Sequence, residues 1–284
     1  MLQVDNLTFH YPGAANPAVQ GLTFSIADGE LFGFLGPSGA GKSTTQKILN
    51  GLLREYTGTV AVFGKNLTDW QSDYYERIGV TFEFPNHFLK LTALENLTYF
   101  SKLYTRKCES PRTVLEWVDL TDAGEMLVSQ FSKGMKTRLS VARALLHRPD
   151  FLFLDEPTAG LDPVNAHRIK EIIKSQKSAG KTVFLTTHDM AVADELCDRV
   201  AFILNGRIKL IEQPRKLKLQ YGKANVRVEY KDGTGTATRE FPLAGLGDNA
   251  EFLHLLQNSQ VQTLHSMEAT LEEIFIQITG RGLS

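Results

Sequence analysis

Long apolar runs are missing from this 284-residue chain. The longest, such as Phe151-Leu152-Phe153-Leu154, are strand-sized and fall far short of the roughly 18 residues needed to span a bilayer. Cysteine is scarce. Cys108 and Cys197 stand far apart and lack metal-ligand spacing, the pattern of reduced thiols in a reducing compartment rather than of a disulfide framework or a zinc site. Neither sign of charge is in excess, since 31 Lys and Arg against 32 Asp and Glu leave a net charge of -1. That balance gives no sign of the strongly basic face of a nucleic-acid binder. The opening Met1-Leu2-Gln3-Val4-Asp5 has no basic segment followed by an apolar one, so no secretion signal is expected. No internal repeat or low-complexity stretch stands out. With 42% hydrophobic and 22% charged residues, the chain has an ordinary globular balance that argues against disorder. Together these absences predict a cytoplasmic protein that reaches a membrane only through a partner.

What is present alternates. Short apolar-polar runs at Leu2-Gln3-Val4 and Leu22 to Ile26, broken at Tyr11-Pro12-Gly13 and Asp28-Gly29, read as strand-turn-strand chemistry. Glu30 to Leu35 reads as a buried strand, Lys42 to Leu53 as a helix, and Gly58 to Phe63 and Ile78 to Phe82 as further strands. From about 86 to 148 the spacing turns helical, as in Leu94, Leu97 and Phe100, then Val114, Leu115 and Val118, then Leu139, Ala142, Leu145 and Leu146. Strand and helix then alternate again: Phe151 to Asp155, Pro163 to about Ala179, Thr182 to Thr187, Met190 to Cys197, and Val200 to Leu204. Such alternation implies a mainly parallel sheet with helices on both faces, interrupted by the helical insertion 86–148. A boundary is expected near Pro214. Beyond it come a basic helix (Arg215 to Leu219), a hairpin (Asn225 to Tyr230, a turn at Lys231-Asp232-Gly233, then Thr236 to Phe241) and an amphipathic helix from Thr270 to Thr279.

Two segments carry chemistry. Gly36-Pro37-Ser38-Gly39-Ala40-Gly41-Lys42-Ser43-Thr44 fits the P-loop pattern G-x4-G-K-[ST], after a strand and at the start of a helix. Small residues let successive backbone N–H groups turn inward around phosphate oxygens at the positive end of the helix. Lys42 can then reach the β- and γ-phosphates, and Ser43 can place its hydroxyl on Mg²⁺. The apolar strand Phe151 to Leu154 ends in Asp155-Glu156, and a carboxylate at a strand's carboxyl end points into the crevice where such sheets bind ligands. Asp155 is suited to holding Mg²⁺, and Glu156 to polarising an attacking water.

With these motifs in place, residues 1–213 resemble the nucleotide-binding subunit of an ABC transporter. Phe131-Ser132-Lys133-Gly134-Met135 resembles the family's signature segment, in a Tyr-Ser-x-Gly-Met variant found in export-type members rather than the commoner Leu-Ser-Gly-Gly-Gln form. The resemblance implies that Ser132, Lys133 and Gly134 contact the ATP held by a second subunit, and that Ala159-Gly160-Leu161-Asp162 is a loop between subunits. It also implies that His188 is the switch histidine acting beside Lys42 and Glu156, and that Tyr11 stacks on adenine. One position departs from the family. Where Gln is normal, at the end of the strand Ile78 to Phe82, stands Glu83, which keeps an oxygen ligand for Mg²⁺ but adds a negative charge.

The expected architecture is therefore an α/β P-loop NTPase. An ABC-type ATPase core over 1–213 has an antiparallel β subdomain and a helical insertion, and a small α+β extension covers 214–284. The expected cofactors are ATP and Mg²⁺. The expected partners are a membrane-spanning permease and a second ATPase subunit, as a homodimer on ATP binding, with no nucleic acid. The implied location is the cytoplasmic face of the cell membrane. A soluble, non-transport ABC-type ATPase is the alternative, and a module that holds ATP without turning it over is a further rival. Against these stand the single cassette, the short spacing of about 88 residues from Ser43 to Phe131, and the presence of both Glu156 and His188. The C-terminal extension resembles that of export-type subunits.

Overall fold

Large apolar side chains at every second strand position organise the first part of the molecule. The computed structural model describes residues 1–232 and 235–280, which fall into two compact units, Met1–Glu212 and a second that begins at Gln213. The first unit opens with β1 (Leu2–Phe9), β2 (Val19–Ile26), β3 (Leu31–Leu35), α1 (Lys42–Leu49), β4 (Thr57–Val62), β5 (Lys65–Asn66) and β6 (Ile78–Thr81). Three helices follow, α2 (Ala93–Ser101), α3 (Pro111–Trp117) and α4 (Lys133–Leu145). The unit closes with β7 (Phe151–Asp155), α5 (Pro163–Ser178), β8 (Thr182–Thr187), α6 (Met190–Leu196), β9 (Arg199–Leu204) and β10 (Arg207–Glu212).

The main sheet has the order β10-β9-β3-β8-β7-β6. It is parallel except for the β9–β10 pair at its edge. A second, antiparallel sheet has the order β2-β1-β4-β5. Phe32, Phe34, Phe151, Phe153, Phe184 and Ile203 point to one side of the main sheet, where they share a core with Leu2, Leu22 and Phe24 of the antiparallel sheet and with Ile48 and Leu49 of α1. On the other side a Cβ added to Gly33 would lie 2.7 Å from Cys197 Sγ, at the end of α6. Both faces are covered, which is why these strands read as continuous apolar runs. Truncating one of the fully buried rings, Phe184 for example, is expected to cost about 3–5 kcal/mol. Burial also pushes the Cys197 thiol well above its ordinary range, so this cysteine is an inert packing group.

Side chains placed at helix starts fix where the helices begin. Thr92 and Glu95 form a reciprocal cap on α2, Ser132 caps α4, Asp162 caps α5 and Asp189 caps α6. A Cβ on Gly79 would fall 2.2 Å from Ala144 O, so α4 lies on β6 at a distance that only glycine permits. Helix α1 is shorter than its apolar spacing suggests. It stops at Leu49 rather than Leu53, because Gly51 takes φ 79° and the N–H groups of Leu52 and Leu53 both turn back to Lys47 O.

The second unit comprises α7 (Pro214–Tyr221), β11 (Asn225–Asp232), β12 (Gly235–Pro242), α8 (Ala250–Asn258), β13 (Val261–Ser266) and α9 (Leu271–Thr279). Its antiparallel sheet has the order β12-β11-β13, and Val226, Val228 and Phe241 pack against Phe252 and Leu255 of α8. The basic helix, both hairpin strands and the final helix are where the sequence places them. The expected turn residue Gly233 and the last residues, 281–284, lie outside the described residues. Strands β10 and β13 and helix α8 have no counterpart in the sequence expectations. No helix among the described residues is long and apolar enough to cross a membrane.

Candidate functional site

Parallel pairing gathers the site at one end of the main sheet. In the register, Leu35 of β3 stands beside Thr187, Thr186 beside Asp155, and Leu154 beside Thr81. The carboxyl ends of β3, β8, β7 and β6 are therefore level, the usual position of a ligand crevice in such sheets.

The loop 36–44 leaves β3 and curls tightly. A Cβ on Gly36 would sit 2.2 Å from Ile203 O, and one on Gly41, at φ 110°, would sit 2.7 Å from Ala18 O. Larger residues would push the loop off the sheet and fill the hollow it encloses. Gly206 N, in the β9–β10 turn, donates to Ala40 O at 2.9 Å and pins the loop from behind. Pro37 and Ser38 form its rim, Gly39 has φ 76°, and α1 begins at Lys42. The Lys42 ammonium is buried and donates to Gly36 O at 2.6 Å and Pro37 O at 3.1 Å. Burial lowers its pKa, and the carboxylates of Glu156, Asp155 and Glu83 work against that fall.

Two further side chains close on the loop. Ser43 Oγ donates to Asp155 Oδ1 at 3.4 Å, and the Tyr11 hydroxyl lies 3.3 Å from Thr44 Oγ1. The Tyr11 ring is held edge-on by Phe9, with centroids 5.0 Å apart, while the residue stays 39% exposed, so a face remains available to a flat ligand. Asp155 is buried, and that burial raises its pKa. Thr186 Oγ1 and Ser43 Oγ donate to its carboxylate and stabilise the charged form. Gln46 Nε2 donates to Thr81 O at 2.8 Å, and Thr81 Oγ1 accepts from Asp155 N at 3.1 Å.

Glu156 is clasped. Its Oε1 accepts from His188 N at 2.9 Å and lies 2.7 Å from His188 Nδ1, while its Oε2 accepts from Thr187 Oγ1 at 3.0 Å. Its backbone sits at φ 47°, an uncommon state for a non-glycine residue that marks functional positions. Glu83 is exposed just beyond β6. It has no hydrogen bond or ion pair among the described residues, and its charge acts on Lys42.

The structure thus brings together Tyr11, Gly36 to Thr44, Glu83, Asp155, Glu156 and His188. Ser132, Lys133 and Gly134 are held elsewhere. Ser132 Oγ accepts from Met135 N at 3.2 Å. A Cβ on Gly134 would lie 3.2 Å from Leu161, and one on Gly160 would lie 3.6 Å from Lys133 Nζ, so the signature-like segment packs on the loop 159–162 of its own chain. Sequence reasoning missed Thr186 and Thr187, which orient the two carboxylates, and Gln46 and Thr81, which brace them. The one available signal was a strand ending in two threonines directly before His188.

A tight glycine loop at a helix start, one buried ammonium, and a hydroxyl beside a carboxylate are groups that suit a polyphosphate with a hard divalent cation. Comparison with known proteins agrees. The ABC transporter family profile matches residues 19–159, and that of the fluoroquinolone efflux ABC transporter C-terminal domain matches residues 224–268. The fluoroquinolones export ATP-binding protein of Mycobacterium tuberculosis (strain ATCC 25618 / H37Rv) is 53% identical over 100% of this chain and 95% of its own length. The chain belongs to the ABC transporter family. The daunorubicin/doxorubicin resistance ATP-binding protein DrrA of Streptomyces peucetius is 33% identical over 93% of this ABC ATPase and 88% of its own length. A dimeric ATP-binding cassette solved in a post-hydrolysis state with ADP and Pi matches with TM-score 0.70 at 28% identity, over 75% of this chain and 98% of that one. This ABC ATPase accordingly binds and hydrolyses ATP as the ATP-binding subunit of a transporter.

Proposed function

We propose that this ABC ATPase drives export by a separate membrane-spanning permease at the cytoplasmic face of the membrane, as a head-to-tail dimer of two copies. Tyr11 stacks on adenine, and the N–H groups of residues 36–44 together with Lys42 bind the phosphates. Ser43, Asp155 and Glu83 would hold Mg²⁺, which would supply positive charge against the phosphates. Glu156 accepts the proton of the attacking water, and His188 senses the γ-phosphate. Ser132, Lys133 and Gly134 reach the nucleotide of the other copy, with the loop 159–162 between them. Residues 1–213 form the motor and 214–284 the extension.

The clasp on Glu156 carries this reading. Oε1 is engaged by both the backbone and the ring of His188, while Oε2 accepts only from Thr187 Oγ1 and keeps a lone pair for the proton of a water. The His188 ring is 58% exposed, so it can swing toward a γ-phosphate and relieve Oε1 of one contact when a ligand arrives, while the His188 N–H and Thr187 keep the carboxylate oriented. Coupling of this kind links occupancy to catalytic competence.

The permease reading is supported by an apolar surface between the main sheet and α2–α4. A cleft of about 220 Å³ is lined by Leu52, Tyr75, Phe82, Phe100, Tyr104 and Arg143. Leu52 and Tyr75 in its lining are 55% and 39% exposed. Clustered exposed apolar residues of this size mark interaction sites. The relatives' names and the C-terminal match point to aromatic antibiotics of the fluoroquinolone type as cargo.

The test is purification of the tagged chain from detergent-solubilised membranes of its own host. A stoichiometric polytopic membrane protein is the expected result. Recovery of soluble proteins alone, with ATPase intact, would move the assignment to the soluble alternative. Loss of the chain should then raise fluoroquinolone accumulation in whole cells, and unchanged accumulation would remove the cargo assignment.

A further inference from the structure

Of the two carboxylates assigned to the metal, one is held by side chains and the other is not. Asp155 is buried and accepts from Thr186 Oγ1 and Ser43 Oγ. Glu83 is exposed, and no hydrogen bond reaches its carboxylate among the described residues. Its place is set by the backbone that carries it. That backbone leaves β6, the edge strand of the main sheet, which pairs with β7 alone. Thr81 ends the strand, and Glu83 follows two residues later.

An anchor stands at that strand end. Gln46 Nε2 donates to Thr81 O at 2.8 Å, and Thr81 Oγ1 accepts from Asp155 N at 3.1 Å, so Thr81 ties α1, β6 and β7 together. Gln46 comes three residues after Ser43, on the same face of α1. Beyond Glu83 the chain is held by a different element, where Arg143 of α4 donates to Asn86 O. Gln46 is a costly residue for its position. It is 1% exposed, and its Oε1 is buried without a hydrogen-bond partner among the described residues. Turning the amide over would not cure this, because Thr81 O needs the NH₂ end. A leucine of similar volume would leave no unpaired acceptor and spare the fold that loss of stability. Packing alone does not account for a glutamine here.

We propose that Gln46 is the positioning residue for Glu83: its amide fixes the Thr81–Phe82 peptide, so that Glu83 serves the same divalent cation as Asp155 and Ser43. This rests on the metal-ligand roles proposed above for Glu83 and Asp155. Gln46 acts through the backbone, and its effect falls on the metal-dependent part of nucleotide affinity. The loop 36–44 is pinned separately, by Gly206 N on Ala40 O, so phosphate binding without the metal does not depend on Gln46. Groups that orient metal ligands in this way commonly change metal affinity by about 10–100-fold when removed.

The test measures binding rather than turnover. In a Glu156→Gln background, which blocks hydrolysis, ATP dissociation constants are measured with Mg²⁺ and with EDTA, and their ratio is the gain due to the metal. Gln46→Leu and Gln46→Met, which both lack the amide, are expected to lower that gain about 10-fold and to leave the constant in EDTA within about twofold. Glu83→Ala should lower the gain by itself, and adding Gln46→Leu to it should change the gain by less than about twofold. An unchanged gain in both Gln46 variants, with Glu83→Ala lowering it, would overturn the positioning role and leave Glu83 as a ligand. Equal losses with Mg²⁺ and with EDTA would also overturn it, as would two Gln46 variants that fail to fold, since the amide would then serve the fold. A parental gain in Glu83→Ala would overturn the ligand role of Glu83 and the proposal together.

Discussion

Two polar concavities in this molecule look alike and are built differently. One belongs to the C-terminal unit, a cleft of about 620 Å³ whose lining includes Lys223, Arg227, Glu229, His265, Glu268 and Glu273. Several of its charges are already committed to their own secondary structure. Arg227 donates to Glu240 on the neighbouring strand, Glu229 accepts from Thr263, and Glu273 closes the cap of α9 with Thr270. Lys223, Arg227 and His265 are exposed. At the nucleotide site the order is reversed. Lys42, Asp155 and Glu156 are buried, and they are held in place by threonines and backbone rather than by each other's opposite charge. Buried groups lose solvation, and the fold gives up stability to keep them there, as functional sites commonly do. Exposed cross-strand pairs cost little and contribute little. Burial of polar groups therefore identifies the working site.

Turnover should separate the two most sharply. Glu156→Gln and Lys42→Ala are each expected to lower phosphate release by about 10²–10⁴-fold, with the fold retained. A residual rate above one-tenth of the parent's would undo the reading of the clasp.

The next contrast is in stability against pH. His147 is fully buried, stacked on Tyr104 at 3.9 Å, with Nε2 2.8 Å from Ile78 O. Burial lowers its pKa to about 4, and that of His87 likewise to about 4. For both, the folded pKa lies below the unfolded one, so the unfolded chain binds more protons in between. Stability is then complete above pH 6.5 and is lost as pH falls from 6.5 toward 4, by about 3 kcal/mol per histidine. Trp70 and Trp117 both lie in the first unit, so urea melts followed by tryptophan fluorescence report that unit alone. A midpoint that does not fall between pH 7 and pH 5 would contradict the burial argument.

How much could be read without the structure depended on the range of the interactions. The P-loop was legible because its glycines, Lys42 and Ser43 are neighbours in sequence and answer to local backbone geometry. Strand β7 was legible from its continuous apolar run, and α5 from Asp162 and Pro163 at its start. Thr186 and Thr187 were not legible as partners of Asp155 and Glu156, because only the β7–β8 register sets them side by side. Helix α1 was read too long, since Leu52 and Leu53 continue its apolar spacing and the break depends on Gly51 at positive φ. In the C-terminal unit α8 and β13 escaped notice. Strand β13 has few apolar positions, and α8, although apolar at Phe252, Leu253, Leu255 and Leu256, finds its inner face only once Phe252 and Leu255 are packed under Val226 and Val228.

A smaller effect, of opposite sign for stability and function, is expected at Asp155. Burial raises its folded pKa, so the stabilisation present while it is protonated is lost as pH rises through that value. Asp155→Asn removes the loss and keeps an oxygen for Thr186 to donate to. The nucleotide-free protein should gain stability at pH 7 while Mg²⁺-dependent turnover collapses. A variant less stable than the parent in urea would mean that the hydroxyls of Ser43 and Thr186 outweigh the desolvation.

The smallest effect is the one the comparison depends on most. Arg227→Ala breaks the pair with Glu240 on an exposed hairpin, where side-chain exposures of 45% and 39% leave both groups wet. The expected change is within about 0.5 kcal/mol in stability, and ATPase should stay within about twofold, as for other surface changes away from the chemistry. His265→Ala, directly across the strands from Arg227, should behave the same way. If either substitution lowered turnover tenfold with the fold intact, the C-terminal cleft would have to be a ligand site in its own right. Exposure would then have been a poor guide to where the chain binds ligands.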